Sequence, residues 1–242
     1  GHVKEFSMTK YTGGMYPEEF TFKYPKVGED NAIVTVHIYN LGDKKTTKVE
    51  TGTETDIYFP RIKWTNDPNQ LVVFRMNRHQ NHLELLLTDA KTGSTKLLLE
   101  EKSKYYVDIH DNLTFLKNGT QFIWTSEKSG FNHIYLHDMG DKETRVLTKG
   151  DFDVTNFYGI DEERNMIFYQ AAATSPMERH LYCLDLKKDK TRQLTKGNGQ
   201  HSAQFSKTFD YFVNNHSSAN EPYEFTVKDH KGKVLRTIEN NS

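Results

Sequence analysis

HIYLHDMGDKETRVLTKG, residues 133–150, and HLYCLDLKKDKTRQLTKG, residues 180–197, align without a gap and are identical at nine of 18 positions. Ile134/Leu181 and Met139/Leu186 add conservative exchanges. Each stretch is an alternating apolar run, a polar turn that opens on Asp, and a second short run with Thr ahead of Leu. That order of residues is a β-hairpin signature.

Working outward, the acid or amide that opens the turn recurs at Asn40, Asp89, Asp138, Asp185 and Asp229, at spacings of 49, 49, 47 and 44 residues. The surrounding text agrees: YNLGDKKTTKVETG from Tyr39, LLLTDAKTGSTKLLLEE from Leu85 and FTVKDHKGKVLRTIE from Phe225. Ahead of each complete hairpin lies another pair of short apolar runs: PRIKW with LVVFRM, LTFL with QFIW, FYGI with MIFY, and SAQF with DYFV. Four strands in a period of about 47 residues describe a propeller blade. Helical repeats of similar period need apolar residues three and four apart over ten or more positions, and no such stretch occurs. The expected fold is therefore all-β, a partial β-propeller of about four and a half four-stranded blades. Residues 52–101, 101–150, 151–197 and 198–242 read as complete blades. Residues 1–51 read as an incomplete first copy with an extended hairpin arm over about residues 5–30. Four and a half blades do not close a ring comfortably, so the expectation is a piece of a larger propeller whose first blades precede Val3.

Composition narrows the chemistry. The 242 residues carry 32 Lys plus Arg against 33 Asp plus Glu, a formal charge of -1, so no broad cationic footprint for nucleic acid exists. Thirteen Tyr, 15 Phe and two Trp spread along the chain argue against disorder. One cysteine, Cys183, excludes an internal disulfide and a thiolate metal cluster. No GxSxG, GxGxxG, Walker-type loop, HExxH or CxxC is present, so no catalytic residue, cofactor or metal ligand is assigned.

Three groups remain as candidates. Tyr106, Asp108 and His110, in YYVDIHDNL, precede the first strand of a blade, the strand that lines a propeller's channel. Alternation would put Asp108 and His110 on one face, toward a substrate or within a polar inner-edge network. Arg75, Arg78, Gln80 and Asn81, in FRMNRHQN, form a dense turn able to clamp carboxylates or neighbouring backbone carbonyls. Tyr11, Met15 and Tyr16, in the arm, supply the aromatic and Met character of an interface. His133 and His180 occupy one repeat position and read as structural hydrogen-bonders. The pairs Glu18-Glu19, Glu100-Glu101 and Glu162-Glu163 read as solvated charge.

These segments carry a family likeness. FLKNGTQFIWTSEKSGFNHIYLHDM from Phe115, FKYPKVGEDNAIVTVHIYN from Phe22, WTNDPNQLVVFRMNRHQNHLELLLTDAKTG from Trp64 and LTKGDFDVTNFYGID from Leu147 resemble the bacterial dipeptidyl peptidase IV propeller, in family order. YPKVGEDN and NRHQN are the more specific motifs. The resemblance implies an eight-bladed propeller joined to a C-terminal α/β-hydrolase domain that holds Ser, Asp and His. It implies peptide substrates, release of Xaa-Pro or Xaa-Ala dipeptides from free amino termini, a homodimer helped by the arm, and a periplasmic or cell-envelope location. It also implies a glutamate pair in an early blade that binds the substrate's amino group. That motif would precede Val3, so Glu18-Glu19 is not given the role. The alternative is a TolB-like binding propeller acting as a protein-interaction platform.

Overall fold

In the computed structural model, residues 2–140 and 143–241 are described, and among them every regular element is a strand. Asp141 and Lys142, inside the repeated 133–150 stretch, lie outside the described residues, as do Gly1 and Ser242. The chain divides into two compact units, Gly1–Ile109 and His110–Ser242.

The first unit opens with an arm, β1 (Glu5–Lys10) paired antiparallel with β2 (Glu18–Lys23). A half-blade follows, β3 (His37–Tyr39) with β4 (Thr46–Lys48). The first complete blade then has its inner strand split in two. β5 (Ile57–Tyr58) and β6 (Ile62–Trp64), on either side of Pro60, both pair with β7 (Gln70–Asn77), which continues to β8 (His82–Asp89) and β9 (Thr95–Lys102). Proline has no N–H for the ladder, so the interruption falls where it must. Ile38 and Val49 of the half-blade share a core with Leu71 and Val73 of β7.

The second unit holds three four-stranded antiparallel meanders. They are β10 (Thr114–Phe115) to β13 (Thr144–Val146) through β11 (Gln121–Ser126) and β12 (His133–Asp138); β14 (Val154–Asp161) to β17 (Lys190–Gln193) through β15 (Met166–Ala171) and β16 (His180–Asp185); and β18 (Gln200–Phe205) to β21 (Val234–Glu239) through β19 (Tyr211–Ser218) and β20 (Glu221–Asp229). The molecule is a partial β-propeller.

Packing explains why the middle strands read as nearly continuous apolar runs. In β15, Ile167, Tyr169 and Ala171 enter a core with Ile123, Ile134 and Leu147 of the second complete blade. Phe168, between them, enters a different core with Phe212 of the fourth. β16 divides in the same way, Tyr182 and Leu184 one way, Leu181 and Cys183 the other. Successive side chains alternate faces, and both faces are covered by a neighbour. Outer strands β13, β17 and β21 are exposed along their whole length.

The repeated letters have repeated jobs. At all five anchors the side-chain oxygen accepts backbone N–H groups of its own turn. Asn40 takes Gly42 (2.8 Å), Asp89 takes Lys91 and Thr92 (2.9 and 2.8 Å), and Asp138 takes Gly140 (2.8 Å). Asp185 takes Lys187 and Lys188 (both 3.0 Å), and Asp229 takes Lys231 and Lys233 (both 2.9 Å). These are Asx turns, which close the hairpin without a backbone donor being lost. The Lys188 N–H, foremost, holds the Asp185 carboxyl below its ordinary value; at Asp89 the Thr92 N–H does the same.

The other shared letters, His and Thr-Lys-Gly, form a clamp. His133 meets the Thr148 hydroxyl at 3.1 Å and the Gly150 carbonyl at 3.0 Å, while Thr148 Oγ1 accepts the Ile134 N–H at 2.9 Å. A carbonyl only accepts, so the His133 proton sits on Nε2 and Nδ1 accepts the hydroxyl's proton. His180 repeats the arrangement with Thr195 at 3.1 Å and the Leu181 N–H at 3.1 Å, its Nε2 facing Glu178 at 3.2 Å. Both histidines are therefore structural, buried, and committed to holding the end of the fourth strand.

Neighbouring blades also bond at their turns. Arg145 of β13 donates to the Leu186 carbonyl and Asp189 in the next blade, and the Lys117 N–H donates to Glu162 Oε2 at 2.8 Å. Glu162 is thus an interblade acceptor, where the text alone read as solvated charge. Arg164 binds Asp161 in its own turn and Asp210 in the following blade.

Replacing Thr195 by Val removes the acceptor of the buried Leu181 N–H and the partner of His180. Thr195→Val is expected to cost about 2 kcal/mol in chemical denaturation, with Thr195→Ser near neutral.

Candidate functional site

The richest polar constellation lies in the first unit, on the turn between β7 and β8. Asn77 ends β7, and its Oδ1 accepts the N–H groups of Asn81 (3.1 Å) and His82 (3.0 Å). Its amide donates to Asn81 Oδ1 at 2.7 Å, and the Gln80 N–H closes on the Asn77 carbonyl at 2.9 Å. Gln80 is left-handed at φ 55°, a conformation that costs a non-glycine residue about 1 kcal/mol or more. The surrounding bonds hold it there.

The two arginines spend their charge within the chain. Arg75 forms a fork with Glu84, Nε at 2.8 Å and Nη2 at 2.6 Å, and its Nη1 donates to the Thr51 carbonyl at 2.6 Å. Gly52 follows that carbonyl at φ 87°, and a Cβ added there would stand 2.7 Å from Arg75 Nη1. Arg78 reaches further. Its Nη1 meets Asp56 at 3.0 Å and its Nη2 donates to the Glu29 carbonyl at 2.6 Å. Glu29 in turn is bonded to Lys4 at 2.6 Å, and this bond foremost holds its carboxyl below the ordinary value. Arg78 thereby ties YPKVGEDN to NRHQN, so the two most specific motifs of the sequence are in contact.

A second segment docks on the same turn. The Tyr106 hydroxyl donates to Gln80 Oε1 at 3.0 Å, the Val107 N–H to the Gln80 carbonyl at 2.9 Å and the Ser103 N–H to the Asn81 carbonyl at 3.0 Å. The turn therefore presents Tyr105 and Tyr106, 79% and 48% exposed, on a fixed loop. Asp108 is exposed on that loop. No strand runs through residues 103–113, so the alternation expected for Asp108 and His110 does not operate.

His110 belongs to the second unit, and both of its ring nitrogens are engaged there. Nε2–H donates to the Thr125 carbonyl at 2.9 Å, Nδ1 accepts the Asn112 N–H at 3.3 Å, and the ring lies 4.1 Å from that of Trp124. Asn112 adds a bond to Thr125 Oγ1 at 3.0 Å. These contacts are those of a polar network that pins residues 110–112 to β11.

His82, Glu84 and Glu100 bring their ligand atoms within 4.8 Å of one another. Each carboxylate already faces a cation, Arg75 on Glu84 and Lys102 on Glu100 at 2.8 Å, with His82 also 2.8 Å from Glu100. The cluster is neutralised by its own side chains. The sequence reading missed it because its members sit on two strands whose register only pairing reveals: Glu84 opposite Glu100, His82 opposite Lys102.

The arm carries Phe6, Met8, Phe20 and Phe22 on one face, in cross-strand pairs Phe6–Phe22 and Met8–Phe20, and Ser7, Thr9, Glu19 and Thr21 on the other. Lys26 lies 3.5 Å over the Phe6 ring. At the tip Tyr11, Met15 and Tyr16 are 79%, 91% and 80% exposed.

Arg78→Ala releases the Glu29 carbonyl. Amide exchange over residues 26–32 is expected to rise about tenfold, the loss of one charge-assisted bond, while β7 and β8 keep their protection. Unchanged exchange there would show that Arg78 does not hold the segment.

Comparison with known proteins gives this arrangement a context. Residues 1–223 match the family described as the dipeptidyl peptidase IV (DPP IV) N-terminal region. The chain is 28% identical over 241 residues to a probable dipeptidyl peptidase 4 of Aspergillus flavus, covering 94% of this chain and 31% of that protein. A solved structure, dipeptidyl peptidase 4 of Porphyromonas gingivalis, superposes with a TM-score of 0.89 at 39% identity, covering 99% of this chain and 34% of that one. A putative dipeptidyl aminopeptidase IV of Bacteroides ovatus, 24% identical with a TM-score of 0.84, shares the fold and is covered over 37% of its length. The chain thus spans 31% and 34% of the lengths of the fungal and Porphyromonas relatives. With its blade repeat, its tied YPKVGEDN and NRHQN motifs and a family match over residues 1–223, this chain belongs to the dipeptidyl peptidase IV family, as part of its N-terminal propeller region.

Proposed function

We propose that this chain is the noncatalytic propeller portion of a dipeptidyl aminopeptidase, a serine exopeptidase that releases Xaa-Pro or Xaa-Ala dipeptides from peptide amino termini. The hydrolase domain C-terminal to it in the parent chain supplies the serine chemistry. The propeller restricts which peptides reach that domain, and the arm supports a homodimer. The parent acts in the periplasm or cell envelope of a bacterium.

The observation that carries the gating role is the Arg78 turn. Its guanidinium groups are consumed by Glu84, Asp56 and backbone carbonyls, so the turn works as a rigid mount that holds the Tyr105–Tyr106 loop in place. Pre-set walls select by shape, because a substrate that fits loses little ordering entropy on binding. In this reading Tyr106 and Asp108 line the path to the hydrolase. The amphipathic arm supports the dimer role: a two-stranded ribbon with one aromatic face is marginal in water unless that face is covered.

The 242-residue chain is expected to leave a Gly-Pro chromogenic substrate uncleaved, whereas the full parent protein cleaves it. Hydrolysis by the purified short chain would refute the noncatalytic assignment. Replacing Tyr11, Met15 and Tyr16 together by Ser in the parent is expected to shift its sedimentation from dimer to monomer; an unchanged dimer removes the arm from the interface.

A further inference from the structure

Three imidazoles from two adjacent blades stack where β14–β17 gives way to β18–β21. His180 opens β16, His201 lies in β18 and His216 in β19. The His180 and His201 rings are 5.1 Å apart, and those of His201 and His216 are 4.2 Å apart at 15°. His201 donates from Nε2 to the Gly197 carbonyl at 3.3 Å, and His216 donates from Nε2 to the Asn198 carbonyl at 2.9 Å. Those carbonyls belong to the connector between the two blades, so the rings fasten the crossing from one sheet to the next. Since a carbonyl only accepts, both rings carry their proton on Nε2. The remaining nitrogen of His201, Nδ1, is buried with no hydrogen-bond partner.

A second proton on His201 would therefore enter a site with no acceptor for it. The charged and titratable groups around it do not help. His216 stacks on it, His180 lies tilted against it, and buried Lys228 of β20 adds positive charge. Glu178 is engaged at 3.2 Å with His180 Nε2, and Glu224 acts on Lys228. Arg179, whose own carbonyl accepts the His201 N–H, directs its guanidinium to the Pro176 and Glu178 carbonyls.

We propose that the His180–His201–His216 stack is an acid-operated latch: neutral, it holds the connector and the facing blade together, and protonation of His201 releases them. Burial foremost, then His216, holds His201 down from 6.5 to about 4 in the closed state. The opened state binds the proton more readily. The latch is therefore intact above about pH 6.5, and its hold fades as pH falls toward the closed-state value. At pH 5 the opening constant is about 20-fold larger than at neutral pH. His137, in the second complete blade, is also held to about 4, by burial foremost with Lys128 adding. Global acid unfolding thus mixes two groups, and only a local measurement separates them.

Hydrogen–deuterium exchange of the 242-residue chain at pH 7, 6 and 5, corrected for intrinsic rates, supplies that measurement. Peptides over residues 178–184 and 196–205 are expected to lose about 20-fold in protection between pH 7 and 5 while β7, which holds no histidine, keeps its own. His201→Phe keeps a ring in the stack and takes no proton, so its protection should stay level across the range. Equal protection at pH 7 and 5 in the unaltered chain, or the same loss in His201→Phe, overturns the latch. Should His201→Phe not fold, the imidazole C–H resonances of the unaltered chain decide. Titration of His201 well below 6.5, with the local loss of protection, supports the proposal; titration at the ordinary value overturns it.

Discussion

A four-stranded blade has two apolar faces and no means of covering either by itself. β15 shows the constraint within one strand: Ile167, Tyr169 and Ala171 are buried against the preceding blade and Phe168 against the following one. Burial of a side chain of this size is worth roughly 1.5–3 kcal/mol, so each face draws its stability from a neighbour it does not own. Repetition is the solution, since a blade that fits its neighbour on one side fits the next on the other. The Asx turns and the His–Thr clamps follow from it. They fix strand ends and turn geometry so that successive sheets present matching faces.

The up-and-down order of a blade also sorts its polar chemistry. Turns between first and second strands, and between third and fourth, share one end; the remaining turn and the connector to the next blade share the other. The Asp anchors all fall at the first end and spend their carboxylates on their own backbone. In the second unit the His133 and His180 clamps and the histidine cluster lie at the second end of their blades, and in the first unit the Arg78 turn lies at that end of its own blade. The sorting is not absolute, since Arg164 and Arg145 tie neighbouring blades together at the first end.

The tie between Arg78 and Glu29 has a further consequence for the proposed gating role. The segment it holds leads directly from the arm, through Lys4 and Glu29, into the half-blade. A single guanidinium thus connects the element proposed to meet a second copy with the turn that mounts Tyr106 through Gln80. Forked donors suit such a junction, since an arginine can satisfy a carboxylate and a carbonyl in different directions at once. The same saturation argues against the turn as a free anion site: its charge is already answered.

The amino-acid sequence determined the blade period, the hairpins and the turn anchors, because each rests on interactions between residues close along the chain. It also marked His133 and His180 as structural, since a residue repeated at one register does one job. It could not show the split inner strand around Pro60, the role of Glu162 as acceptor for the Lys117 N–H, or the His82–Glu84–Glu100 group. It likewise placed Asp108 and His110 by alternation, where the backbone is in fact an irregular loop and His110 turns both nitrogens inward. Those features depend on register between strands and on contacts between blades, spanning 45 residues for Lys117 and Glu162 and 49 for Arg78 and Glu29. Periodicity tells which face a strand residue occupies; only the folded sheet decides what stands opposite it.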